Sequence, residues 1–211
     1  MRIIMAKDKN RNQPSKRQLM QERQRKSRMM NRLVWGGAGL VILALVGLII
    51  WQSSRPGAAT AEAMGESIPV NSRDHIPEGT DPGPYPSDPP AGGAHYPSTL
   101  PAKLYQEQDL ASLGQYPQGY LVHDLEHGYV IFWYNCAVLD EARCQQLKSQ
   151  LQEVLDAFDG VKVMAFPWKS LDVPVVATSW GRLQRFESFD TALAERFVRS
   201  NRNKAPEPDA P

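Results

Sequence analysis

The longest apolar run in the chain is Leu33–Trp51, LVWGGAGLVILALVGLIIW, which holds no charge in nineteen residues. As a helix at ~1.5 Å per residue it spans roughly 28 Å, close to the ~30 Å hydrocarbon core of a bilayer. The run is longer than a signal-peptide core, and Trp51 stands where a small residue would be needed for cleavage. Trp35 and Trp51 bracket it as interfacial aromatics do. The pattern predicts a transmembrane helix over 33–51. Later periods are shorter. Tyr129–Tyr134 is β-branched and aromatic, which predicts a buried strand, and Gly128 before it suits a left-handed helix stop. Asp140 can cap an amphipathic helix over 140–158, where Leu147, Leu151, Val154, Leu155 and Phe158 recur on one face with Cys144 a turn earlier. Val161–Phe166 and Pro174–Ser179 read as short strands. A last helix starts near Asp190 and buries Leu193, Phe197 and Val198.

These elements divide the chain into a basic segment 1–32, a transmembrane helix 33–51, a flexible linker 52–72, a domain 73–201 and a disordered tail 202–211. Ten of the seventeen prolines fall between Pro56 and Pro101, so 73–101 cannot be regular helix or central strand. With Tyr85, Tyr96 and two histidines in it, this stretch is expected to be an ordered arm wrapped on the domain. The order strand, helix, strand, strand, helix predicts an α+β (or small α/β) fold: a compact domain with one mixed sheet, flanking helices and a proline-rich N-terminal arm. A thioredoxin-like arrangement fits that order, without its active-site cysteines.

Charge gives the expected orientation. Residues 1–32 carry eleven Lys or Arg against Asp8 and Glu22, while the rest of the chain is net acidic. Positive-inside logic then places the N-terminus in the cytoplasm and the domain in a periplasmic or extracellular space at the cell membrane. The expected partners are the bilayer through 33–51, anionic lipid headgroups through the basic segment, and an unidentified membrane protein. Nucleic acid is not expected, because no aromatic or fold signature accompanies the basic charge. Cys136 and Cys144 are the chain's two cysteines. On the oxidising side of a membrane they are expected to pair, and their C-x7-C spacing is not that of a redox-active pair.

The four histidines are His75, His95, His123 and His127. Two lie in the arm. The other two are spaced i, i+4, which brings both imidazoles to one side of a helical turn and suits two ligands of one zinc or copper ion. His95 and His75 could join them by folding of the arm, with Asp124 and Glu126 as carboxylates orienting the rings. Two other readings stay open: the rings only hydrogen-bond backbone left unpaired by prolines, or they serve acid–base chemistry. His123-Asp-Leu-Glu-His127 also matches the inverted zinc-peptidase pattern with Glu126 as base. That pattern needs a long helix, whereas Gly128 limits this one to about a turn. Met164 is the only methionine between residues 95 and 201, which argues against a thioether-rich Cu(I) carrier.

The motifs RDHIPEG, Tyr85, PPAGGAHYP and LVHDLEHGYVIFWYN, followed by Val161–Pro167 and Trp180-Gly181, occur in order. Together they resemble a bacterial family catalogued as domain of unknown function 3105, over roughly residues 65–200. Family members usually read PPxSGxHY where this chain has Ala91-Gly92-Gly93, so a hydroxyl there is not essential here. The resemblance implies a membrane-anchored or secreted bacterial protein with no assigned reaction, and all four histidines match family motif positions. It adds weight to a shared histidine site holding copper or zinc. The competing reading is a structural or assembly factor whose histidines only stabilise the arm, and a zinc hydrolase is the third.

Overall fold

Strand β2 (Val130–Tyr134) is the centre of the domain, and all five of its residues are buried. In the computed structural model, which describes residues 63–210 together with Met20 and Trp35, Ala59–Pro211 form a compact unit of their own. From β2 the chain passes through a short 3-10 turn (Cys136–Val138) into helix α2 (Glu141–Asp156) and returns as β3 (Val163–Pro167), parallel to β2. Strands β4 (Val175–Ser179) and β5 (Arg182–Phe186) form an antiparallel hairpin, with β4 against the other side of β2. Helix α3 (Thr191–Asn201) follows. A two-residue strand, β1 (Glu66–Ser67), pairs with β5 and completes the order β1-β5-β4-β2-β3. The sheet is mixed and carries helices on both faces, as expected.

Alternation along β2 builds two cores. Val130, Phe132 and Tyr134 face α2 and α3, joining Leu147, Leu151, Val154, Phe197 and Val198. Ile131 and Trp133 face the opposite layer with Leu121, Leu125, Met164 and Phe166. A strand covered on both faces reads as a continuous apolar run, which is why VIFWY shows no alternation in sequence. Each large side chain here is worth ~3–5 kcal/mol against truncation to alanine.

The caps lie where the sequence puts them. Asp140 accepts from the Arg143 N–H at 2.8 Å, and Asp190 from the Leu193 N–H at 2.9 Å. The start of β3 comes two residues later than expected, because Asp159, Gly160 and Lys162 adopt positive φ in the turn after α2. Strand β5, a 3-10 helix over Glu107–Ser112 and the length of α1 (Gln118–Glu126) were not foreseen. α1 runs nine residues, not one turn. It buries residues on nearly all sides, Leu121 and Leu125 against the sheet and Gly119 under the Tyr96 ring. A helix enclosed in this way shows no amphipathic period to read.

The membrane expectation is corrected. No helix among the described residues is long and apolar enough to cross a membrane, and 33–51, apart from Trp35, lies outside the described residues, as do 1–32 apart from Met20. A single transmembrane helix followed by an external domain is therefore not part of the fold established here. The dependent expectations, namely the bilayer and headgroup contacts, a membrane-protein partner and a single-pass location, are likewise not supported by the described residues. Within the stretch expected as linker, Glu66–Ser67 instead form the edge strand β1.

The arm is ordered on the domain. Its residues His75 and His95 form a parallel bridge, with Ile76 N–H donating to the His95 carbonyl at 2.8 Å and His95 N–H to the Asp74 carbonyl at 3.0 Å. Tyr96 N–H then reaches the Gly119 carbonyl at 3.0 Å, which ties the arm to α1. Further on, Leu104 bridges Ala165 and covers the outer edge of β3, leaving fewer unpaired backbone groups there.

Candidate metal centre

The C-terminal half of α1 supplies His123, Glu126 and His127. At 3.6 residues per turn these fall on one helix face, and that face looks onto the arm. Asp124 is rotated about 100° away. The arm's bridge between residues 75 and 95 lays its two histidines over the same face. His75 and His123 stack with ring centroids 4.9 Å apart and planes 10° apart. His95 meets both edge-on, at 4.7 and 5.0 Å. One ligand nitrogen from each of His75, His95 and His123 lies within 4.8 Å of the other two. This three-histidine cluster is capable of holding a metal ion.

Backbone carbonyls fix two of the rings. His123 Nδ1 is 2.5 Å from the Tyr96 carbonyl oxygen, and His95 Nδ1 is 2.7 Å from that of Gly93. A carbonyl only accepts, so each Nδ1 is the donor and each ring is left with its Nε2 for other contacts. Histidines that ligate metals are oriented by bonds of this kind. Burial lowers the His123 pKa; the Tyr96 carbonyl opposes this, and the neighbouring His127, His95 and His75 add to it. The ring is thus biased toward its neutral, ligand-competent form.

The remaining polar groups sort by distance. Glu126 Oε2 lies 2.9 Å from His95 Nε2 and 3.8 Å from His75 Nε2. The buried His95 Nε2 faces this carboxylate and has no hydrogen-bond partner. A buried imidazole nitrogen and a carboxylate oxygen facing each other at that distance are satisfied either by a proton or by a metal cation between them. Glu126 thus lies beside the Nε2 atoms of His95 and His75. Asp124 touches none of the imidazoles. Its two oxygens accept from the Leu100 N–H at 3.2 and 3.3 Å, and burial holds its carboxyl well above the ordinary carboxylate range.

His127 stands at the margin of the cluster. Its Nε2 is 2.8 Å from His123 Nε2 and 3.6 Å from Glu207 Oε2. Glu207 belongs to the segment read from sequence as a disordered tail. In the structure its N–H donates to the Glu126 carbonyl at 3.0 Å, and the Asn203 N–H donates to the Gly128 carbonyl at 2.9 Å. Gly128 has φ 88°, and a Cβ there would meet the Asn203 backbone at 2.7 Å. Only glycine admits both that conformation and that approach. Lys162 Nζ completes the tie, donating to the carbonyls of His127, Pro208 and Ala210 at 2.9, 2.7 and 2.6 Å. Nothing local in the sequence marks Lys162 or Glu207, because each reaches the site across the fold.

At the other end of β2 the expected disulfide is present: Cys136 and Cys144 are joined. It links the 3-10 turn to the first turn of α2 and touches none of the histidines.

Among curated proteins and among solved structures, nothing matches the chain. The family described as protein of unknown function (DUF3105) matches residues 78–211, well over half of the chain. That span takes in His95, His123, Glu126, His127 and the Glu207 segment, and begins three residues after His75. It starts later and runs further than the sequence resemblance indicated, and it does not cover 33–51. The chain belongs to the DUF3105 family of proteins of unknown function.

Proposed function

We propose that this domain binds one divalent transition-metal ion, copper(II) or zinc, through His75, His95 and His123, with Glu126 as the carboxylate donor. The observation that carries this reading is the pair of imidazoles locked by the Tyr96 and Gly93 carbonyls, with the buried His95 Nε2 lacking a hydrogen bond. An imidazole and carboxylate donor set suits zinc and copper(II). Sulfur is absent from the set: Met164 is buried in the core beneath α1, and both cysteines are joined to each other. One carboxylate donor among imidazole donors also leaves a divalent ion only one positive charge to be balanced. The ion would fasten the arm to α1, since its donors come from both.

Element analysis of the full chain, loaded with zinc or copper(II) and desalted, tests this. About one ion per chain is expected for wild type. A His95→Ala, His123→Ala double variant is expected to lose it, with affinity down at least ~100-fold. Wild type that holds no ion under either loading would refute the reading.

One observation favours a second reading. The same Nδ1 bonds from His95 and His123 pin the arm to α1 without any ion. On that reading the double variant loses thermal stability equally in chelator and in added metal. On the metal reading, added ion raises the wild-type Tm and leaves the variant's unchanged.

A further inference from the structure

We propose that the open cavity between the proline-rich arm and the end of β3 binds a small organic cation carrying an alkylated ammonium group. The site is separate from the histidine cluster: no histidine lines it, and it does not rest on the metal reading. Its volume is about 560 Å³, within the size range of small-ligand sites. The arm supplies lining residues from Asp81 to Pro90. Trp168, the residue after β3, and Gln118, the first residue of α1, complete it.

Negative charge and aromatic surface meet in this cavity. Asp81 and Asp88 are the charged residues of its lining, and no lysine or arginine accompanies them. Each carboxylate has one oxygen held by a donor. Asp81 Oδ1 accepts from the Gly83 N–H at 3.0 Å, and Asp88 Oδ1 from the Trp168 Nε1–H at 2.6 Å. The second oxygen of each takes no hydrogen bond or ion pair among the described residues. Two rings share the lining and are fixed by their polar ends. The Tyr85 hydroxyl donates to the Ala94 carbonyl at 2.9 Å. Trp168, held by Asp88, also packs edge-on against Trp133 with centroids 5.1 Å apart. Burial raises the Tyr85 pKa, and Tyr96 and Asp81 add to this, so the Asp81 charge reaches that ring. Aromatic rings attract organic cations. A calcium ion instead needs about six to eight oxygens, whereas proline and aromatic carbon make up much of this lining. Such carbon walls suit N-alkyl groups, and the free carboxylate oxygens offset the positive charge. Three prolines fix φ along the arm's side of the cavity, so little conformational freedom is lost on binding.

The test is a titration of the full chain with choline, read by NMR at the Trp168 indole N–H, which Trp168→Phe assigns. The control is the neutral isostere of choline, in which carbon replaces the nitrogen. The Trp168 resonance is expected to shift and to saturate at about millimolar choline, and to stay in place with the isostere. Asp81→Asn combined with Asp88→Asn keeps an acceptor for the Gly83 and Trp168 N–H groups. This double variant is expected to bind choline about tenfold more weakly. A choline titration that does not saturate would overturn the proposal. Equal binding of the isostere would also overturn it, by making the cavity a neutral apolar slot. Displacement of choline by calcium chloride at matched ionic strength would do the same, by making it an inorganic cation site. An unchanged choline affinity in the double variant would remove the carboxylates from the site and overturn the proposal with them.

Discussion

The two ends of β2 are tied down in opposite ways. At its C-terminal end, Cys136 and Cys144 close a covalent link between residues eight apart in sequence. At its N-terminal end, the chain is gathered by side chains from the arm, α1 and the C-terminal tail, at positions from His75 to Glu207. The first tie needs only neighbours and a helix cap. The second needs the whole domain folded before any of its parts meet. A local tie stabilises mainly by limiting the unfolded chain, whereas a distributed cluster reports on tertiary order and can serve a ligand.

The comparison breaks most visibly at the disulfide. Reduction, or Cys136→Ser with Cys144→Ser, is expected to cost ~2–3 kcal/mol in denaturant unfolding while zinc stoichiometry holds. Loss of zinc in that variant would show that the two ends are coupled. Next comes the packing that positions the imidazoles. A Cβ on Gly119 would lie 2.5–2.7 Å from the Tyr96 ring. Gly119→Ala is therefore expected to cost ~1–3 kcal/mol by overpacking. It should also displace the Tyr96 carbonyl that orients His123 and weaken metal binding ~10–100-fold. Thermal unfolding and zinc competition titrations measure the two effects separately.

Asp124→Asn should have the smallest effect on the site. Burial raises the Asp124 pKa above 3.8 in the folded state, so the native protein keeps this proton to higher pH than the unfolded chain does. The stability linked to Asp124 is then fully present below 3.8 and lost as pH rises through the folded value. Asparagine keeps an acceptor for the Leu100 N–H without the charge. The variant is expected to be at least as stable as wild type at neutral pH, with a shallower fall in stability as pH rises from the acid side. Its zinc affinity should stay within about twofold, since Asp124 touches no imidazole and orients none of the rings. Unfolding curves at several pH values check the first expectation, and a zinc titration checks the second.

Legibility followed range. α2 and α3 were readable because each buries one stripe and carries an Asp at its N-cap. β2 was readable from composition. α1 was underestimated because it is enclosed on most sides, and β5 was missed because its pattern, RLQRF, mixes two arginines into a strand with only Leu183 and Phe186 buried. At the site, the i, i+4 spacing of His123 and His127 was visible, yet the closest three-ring set takes His75 and His95 with His123 and leaves His127 outside.

By itself the sequence determined the local matters: which runs pair or coil, where helices start, that the two cysteines lie within reach of each other, and that two histidines share a helix face. Those follow from spacing along one element, where geometry repeats every two or 3.6 residues. Only the tertiary structure decided that Glu126 lies against His95 and Asp124 turns away to Leu100, and that the bridge between residues 75 and 95 lays two more imidazoles over α1. It alone brought Glu207 to His127. Contacts between segments so far apart depend on packing around β2, and no local period encodes them.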